Sequence, residues 1–398
     1  MLKEKIKKLA EEWHEDTILI RRHLHKHPEL SFEEKETSAF IAQKLSEFGI
    51  AFENNIAGYG IVGLIKGKNP DKKITALRAD IDALPIKEAN SVDYCSVNEG
   101  IMHACGHDVH TASLLGAARI LNELRDEFEG SIKLLFQPAE EKLPGGASLM
   151  IKESALENPS PETILGQHVH PPLEVGKIGI RSGIYMASAD EIYITVKGKG
   201  GHGALPNDCI DPVVITAHII TALQMVVSRN ANPNMPTVLT FGHIESEGGS
   251  TNVIPNEVHL KGTLRTFDEE WRFEAHKKIE SLISNIAEGM GGSYRLDIKV
   301  GYPCLVNEPE LTGKVKSRAI DYLGEENVVE LPIRTTAEDF SFYSQVMPAC
   351  FYRLGTGNKA KGITSPVHTN TFDVDEDCLK VSTGLMAWLA LSQLAVSE

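Results

Sequence analysis

Apolar residues recur at helical spacing from the start of the chain. Ile6, Leu9, Trp13, Ile18 and Leu24 fall roughly on one face and Pro28 closes the run, so residues 3–27 are expected to form a helix. A second helix is expected near Glu33–Phe48. Strand-like and helix-like runs then alternate. KITALRADIDALP opens as a strand. TASLLGAARILNELRDEF is a helix with Leu114, Ala118, Leu121 and Leu124 on one face. GSIKLLFQPAEE and ETILGQHVHP each contain a strand. This alternation predicts an α/β sheet with helices on its faces.

The pattern changes near residue 183. DEIYITVKGKGG has period-2 strand character, and DPVVITAHIITALQMVVSR is a helix with proline near its start. Two strands follow, TVLTFGHIESE and NEVHLKGTLRTF. A helix closed by glycines and the strand SYRLDIKVGYP complete the segment. The order β-α-β-β-α-β is the split arrangement of a ferredoxin-like domain. After residue 300 the α/β style resumes, with a helix near Glu310–Leu323 and a closing helix near Asp377–Leu394. The expected architecture is a large α/β domain, residues 1–182 and 299–398, carrying a smaller α+β domain, residues 183–298, as an insertion. There is no internal repeat or low-complexity tract.

Composition narrows the function classes. With 398 residues, 42% hydrophobic and 24% charged, the chain can build a sizeable core without help from metal or disulfides. A net charge of −15 with no basic run argues against general nucleic-acid or anionic-membrane binding. No apolar run of membrane-spanning length is evident, and the charged N-terminal segment lacks the apolar core of a signal peptide. Six scattered cysteines in a large acidic chain are expected as free thiols in a reducing cytoplasm.

The chemistry-bearing residues gather after predicted strands. Asp80 and Asp82 follow one strand, Glu140 and Glu141 a second, and His168 and His170 sit in a third. Cys105 and His107 lie just before a helix, with His103 and His110 as neighbours. Ligands of open α/β sheets bind beyond the carboxyl ends of the strands. Several segments thus deliver Asp, Cys, His and Glu to one rim. In Cys-Gly-His, glycine permits a tight turn that aims both side chains at one point. Adjacent side chains of Glu140 and Glu141 on an extended segment point to opposite sides, so one can hold metal while the other faces a water. Each residue alone reads as packing or surface; together they favour metal. His368, in SPVHTNTFD, looks isolated and by itself reads as structural.

Rival chemistries fare worse. A Cys105–histidine nucleophile pair leaves the glutamates idle. There is no G-x-S-x-G and no P-loop, and GKGGHG lacks dinucleotide spacing.

The ordered motifs RADIDALP, HACGHDVHTA, FQPAEE, GQHVHP, GGHGALP, TNVIP and SPVHTNTFD resemble the M20 metallopeptidase superfamily over nearly the whole chain. They are most similar to its amidohydrolase branch, which includes N-acyl-amino-acid deacetylases, hippurate hydrolases and auxin-conjugate hydrolases. The resemblance implies a catalytic domain with an inserted lid and dimerisation domain, and two divalent ions per chain (zinc, manganese, cobalt or nickel). It implies Cys105, His107, Glu141, His168 and His368 as metal ligands, Glu140 as general base and Asp80 as an acid that orients a ligand. Arg78 stands where many members have a ligand histidine, as is usual in this branch, with His107 taking over. His202 matches a histidine that in dimeric relatives reaches the partner subunit's site. Asn252 matches a residue near the substrate, and Arg265 is a candidate for binding the substrate carboxylate. The implied activity is hydrolysis of small N-acyl amino acids, N-acetyl first, by a cytoplasmic homodimer. A dipeptidase, a carboxypeptidase or an aromatic-acyl amide hydrolase using the same site is the alternative. A binding protein on this scaffold is the rival from another class, and no ligand position is lost to favour it.

Overall fold

The computed structural model describes residues 2–394, which form two compact units. One takes in the chain up to Tyr185, Val306–Ile333 and the chain from Asp339 onward. The other is Met186–Leu305 with Arg334–Glu338. Against the expected 183–298, the second unit starts at Met186, runs on to Leu305 and takes in Arg334–Glu338. The Ala187 amide donates to the Arg334 carbonyl at 3.0 Å and the Ala189 amide to the Tyr302 carbonyl at 2.9 Å. These bonds tie later segments to the residues just before its first strand, Asp190–Lys197.

The first unit is built on an eight-stranded sheet. Its order is Ala51–Ile56, Gly60–Lys66, Ser131–Gln137, Ile74–Asp80, Thr163–Glu174, Ala349–Gly357, Ile178–Ile180 and Val328–Glu330. The four central strands run parallel. Ser131–Gln137 is buried at every position, as a strand covered on both faces must be. The register pairs Asp80 with Gln137 and His168 with Arg353, which sets these residues at one rim.

Helices His107–Glu123 and Asp377–Gln393 pack together across this unit's core. Val109, Leu114, Leu115 and Leu121 of the first, and Leu379, Leu385 and Leu389 of the second, are fully buried. Each such side chain contributes roughly 1.5–3 kcal/mol by leaving water. The expected helix over 3–27 is instead two, Leu2–Glu12 and His14–Lys26. Trp13 leaves helical geometry at φ −102° and ψ 13°, and its ring lies 4.1 Å from the Arg119 guanidinium.

The second unit has a four-stranded antiparallel sheet in the order Thr237–Ser246, Glu257–Thr266, Asp190–Lys197, Ser293–Val300. That is the ferredoxin-like order. Asp211 accepts from the Val213 amide and Pro212 starts helix Pro212–Met225; Asp268 caps helix Glu269–Gly289 by accepting from the Trp271 amide. Ile192, Ile194, Ile215, Ile219, Ile279 and Ile283 form the core between sheet and helices. The helical stretch Pro212–Asn230 is long and apolar enough to cross a membrane by length and composition, contrary to the sequence expectation. Ile215, Ile219, Leu223 and Val226 on its inner face are nonetheless buried in this core.

Candidate metal centre

The site starts from a glycine. Gly106 has φ +84° and precedes helix His107–Glu123. A Cβ there would stand 2.6 Å from Val169 and would also meet a strained backbone. Only glycine lets Cys105 and His107 flank this turn. Both are buried, at 7% and 0% exposure.

The glutamate loop leaves strand Ser131–Gln137 and does not stay extended. Ala139 takes φ +52°, and the Gly146 amide donates back to the Ala139 carbonyl at 2.9 Å. A Cβ on Gly146 would lie 1.7 Å from the Pro138 carbonyl oxygen, so the loop closes only on glycine. The extended backbone expected for Glu140 and Glu141 is therefore absent, and the two acids sit in a bend instead. Donor atoms of both converge with His107 within 4.8 Å of one another.

Two further donor groups share Cys105. One is Cys105, His107 and His168; the other is Cys105, Glu141 and His368. Cys105 Sγ lies 3.4 Å from His168 Nε2 and 3.3 Å from His368 Nε2. His368 Nε2 is also 3.3 Å from Glu141 Oε1. The isolated look of His368 in sequence is thus overturned: its amide donates to the Ala104 carbonyl at 2.8 Å, which pins its loop beside Cys105.

Neighbouring groups fix which imidazole nitrogen is free. His107 Nδ1 donates to Asp82 at 3.1 Å, and His168 Nδ1 donates to the Val169 carbonyl at 2.8 Å. Both Nε2 atoms therefore face the shared space; the neutral His168 offers a lone pair there, and His107 offers one once a bound cation displaces its second proton. Asp80 does something other than orient a ligand ring. It accepts from His110 Nδ1 at 2.5 Å and from Arg78 at 2.6 Å, while its distance to His107 Nε2 is 3.7 Å. The carboxylate on the His107 ring is Asp82, a role the sequence did not single out. Arg78 is fully buried and joins Asp80 to Asp339 and Gln137.

The electrostatics favour a cation. Burial pushes the Cys105 thiol well up, and Glu141, Glu140 and Asp80 push it further. Burial would push His107 down, but Asp80, Asp82 and Glu141 outweigh it and lift the imidazole to about 10. Burial, with Arg353, pushes His168 well below its ordinary value and keeps it neutral. The buried His107 Nε2 has no hydrogen-bond partner, and Glu141 Oε1 has none beyond the poorly aligned approach of His368 Nε2 at 3.3 Å. Clustered carboxylates, a thiol that needs positive charge to ionise and two orphaned donor atoms fit divalent metal. They do not fit a cysteine nucleophile, which needs a lowered thiol pKa.

Three of the remaining sequence candidates, His202, Asn252 and Arg265, lie in the second unit. His202 and Asn252 are neighbours there: Val253 pairs with His202, and the Gly203 amide donates to the Asn252 carbonyl at 2.7 Å. Both side chains are exposed. Arg265 is half-buried on strand Glu257–Thr266 and has no ion pair among the described residues. Burial lowers its pKa, against a raising pull from Asp190. His170 is half-buried on the strand that carries His168.

Comparison with known proteins agrees with this site. Residues 76–391 match the model of peptidase family M20/M25/M40. An N-acyl-L-amino acid amidohydrolase of Geobacillus stearothermophilus is 43% identical over 78% of this chain and 83% of its own. Thermostable carboxypeptidase 2 of Saccharolobus solfataricus is 38% identical over 98% of each. The crystal structure of a Bacillus subtilis protein, described as a dinuclear metal binding peptidase of the M20 family, superposes with TM-score 0.83 at 34% identity, covering 97% of this chain and 100% of that one. The α/β unit with its converging donors and the relatives that match it nearly end to end lead to one conclusion: the chain belongs to peptidase family M20/M25/M40 and is a metal-dependent amidohydrolase.

Proposed function

We propose that the protein hydrolyses the amide bond of N-acyl amino acids, N-acetyl substrates first, releasing a carboxylate and a free amino acid. The observation that carries this reading is the convergence of Glu140 and Glu141 with Cys105, His107, His168 and His368 around buried donor atoms that lack partners. Two donor groups sharing Cys105 suit two divalent ions, held by Cys105, His107, Glu141, His168 and His368. When bound, such ions supply Lewis acidity and make water more acidic. Zinc suits the mixed sulfur, nitrogen and oxygen donors; manganese, cobalt and nickel are alternatives.

Glu140 acts as general base: it takes a proton from the attacking water and returns it to the leaving amine. His202 donates to the developing oxyanion, Asn252 contacts the substrate, and Arg265 binds its carboxylate. Arg265 suits that task as a half-buried guanidinium without a carboxylate of its own. The relatives' names support the amide chemistry and span amidohydrolase and carboxypeptidase. A free dipeptide is therefore the second substrate to try. We further infer a homodimer formed through the second unit, where most of the exposed large apolar side chains lie, Val213, Met225, Val238 and Ile244 among them.

The test is metal content together with hydrolysis of N-acetyl, N-benzoyl and free dipeptide substrates, before and after chelation. The expected outcome is about two ions per chain and chelator-sensitive release of an amino acid from the N-acetyl class. Release only from the dipeptide makes the protein a peptidase. Turnover that survives chelation and stops on thiol alkylation rejects the metal reading.

A further inference from the structure

We propose that Ser31 and Glu34, in the segment joining helices His14–Lys26 and Lys35–Glu47, form a brace that positions the general base Glu140. The inference rests on the assignment of Glu140 above and adds two positioning residues to it.

The segment clasps both halves of the site. The Ala83 amide donates to the Glu29 carbonyl at 2.8 Å, and Leu30 bridges Ala83. This backbone pairing lays the segment beside the turn that carries Asp82. The Ser31 hydroxyl then donates to Asp82 Oδ2 at 2.6 Å. Asp82 Oδ2 also accepts from the Glu141 amide at 3.0 Å, while Oδ1 holds His107. Three residues on, Glu34 Oε1 accepts from the Ala139 amide at 2.8 Å. Ala139 immediately precedes Glu140. One short segment thus grips the glutamate loop at both ends, through Glu34 on Ala139 and through Ser31 and Asp82 on Glu141.

Two features show that the grip is built rather than incidental. Glu34 is fully buried, which is costly for a carboxyl group. The first turn of helix Lys35–Glu47 that follows it is held as well: Glu29 accepts from the amides of Glu36 and Thr37 at 3.1 and 2.8 Å. Moreover, Ala139 at one end of the contact, φ +52°, and Phe32, two residues before Glu34 at the other, φ +69°, sit in the left-handed region without being glycine. Such residues cost on the order of 1–3 kcal/mol each and persist only where surrounding contacts over-determine them. Release of the Ala139 amide leaves that turn free to relax and to swing Glu140 away from the His107 donor. Burial and the facing Asp82 carboxylate push Glu34 up to about 7. An amide in its place therefore keeps both its shape and its acceptor near neutral pH.

The experiment uses the full-length, metal-loaded protein and the variants Glu34→Ala, Glu34→Gln, Ser31→Ala and Glu140→Gln, with Glu34→Ala also made in the Glu140→Gln background. Bound metal per chain, kcat and KM are measured for each. A misplaced base predicts that Glu34→Ala lowers kcat by roughly tenfold to a hundredfold, with KM and metal content near the parent. Glu34→Gln is expected to recover kcat to within about threefold of the parent. In the Glu140→Gln background the loss should vanish, because Glu34 acts through Glu140. Parental kcat in Glu34→Ala overturns the proposal, as does a full additional loss in the double variant. If Glu34→Ala does not fold, Glu34→Gln and Ser31→Ala carry the test. A fall of several-fold in Ser31→Ala with metal retained supports the brace, and a silent Ser31→Ala with Glu34→Gln as impaired as a misfolded chain overturns it. Near-parental turnover in Glu140→Gln alone is a separate result that removes the general-base assignment itself.

Discussion

At the scale of single residues, Asp82 does more for the site than any carboxylate except the donors. Burial pushes its pKa up, but the hydrogen bonds from His107, Ser31 and the Glu141 amide outweigh this and hold it below the usual carboxylate range. It is therefore charged at working pH and fixes the His107 tautomer. Asp82→Asn keeps the shape but loses the charge that favours Nδ1–H. Partners of ligand imidazoles are worth 10–100-fold in metal affinity. The variant is expected to release metal to a competing chelator at a concentration lower by roughly that factor. Retention equal to the parent would show that the ring is held by packing alone. Asp82 was visible in RADIDALP, and its place after a strand was readable. Its partner was not, because only the register and the loop decide which of Asp80 and Asp82 faces His107. Ser31 and Glu34 were harder still. A serine and a glutamate in SFEE carry no chemical rarity, and their roles arise from contacts 51 residues away for Ser31 and 105 for Glu34.

Elements were legible where they were long and apolar. Helix His107–Glu123 and the split β-α-β-β-α-β order could be read because buried faces impose periodicity. Ala51–Ile56 was missed: it is a mostly exposed edge strand, so nothing imposes alternation on it. The second unit's own anchor was equally invisible. Asp190 begins its first strand and accepts from Arg272 through both oxygens, from His276 Nε2 at 2.6 Å and from the Gly301 amide at 3.0 Å. Burial pushes Asp190 up, but His276 and Arg272 prevail and hold it at about 2. A carboxyl lowered in the folded state stabilises above its unfolded pKa, and that stability is lost as pH falls through the folded value. The contribution is about 2 kcal/mol at neutral pH, and it disappears between roughly pH 4 and pH 2. Asp190→Asn should melt earlier than the parent at pH 7 and converge with it near pH 2. A gap between the two melting curves that stays constant with pH would mean that the cluster acts through shape rather than charge.

At the scale of the whole molecule, the outstanding feature is apolar surface confined largely to the second unit. Helix Pro212–Met225 buries one face and leaves Val213, Val214 and Met225 roughly half exposed. Beside it runs strand Thr237–Ser246, paired on one side only, with Ile244 58% exposed. An unpaired edge carrying apolar side chains is a template for another chain, and natural proteins leave one open mainly where it is used. A membrane is a poor occupant for this helix, since its inner face already holds the unit's core. The homodimer proposed above would answer both features at once, because a two-fold axis places the same edge and the same face against themselves. Charge on the edge should then break the assembly without disturbing the fold. Ile244→Lys replaces an exposed residue, so its melting temperature should stay close to the parent's, while sedimentation shifts from dimer to monomer. If His202 serves the partner's site, kcat falls with the dimer and recovers as protein concentration rises. An Ile244→Lys protein that remains dimeric puts the interface elsewhere. A monomeric variant with parental kcat would confine His202 to its own chain.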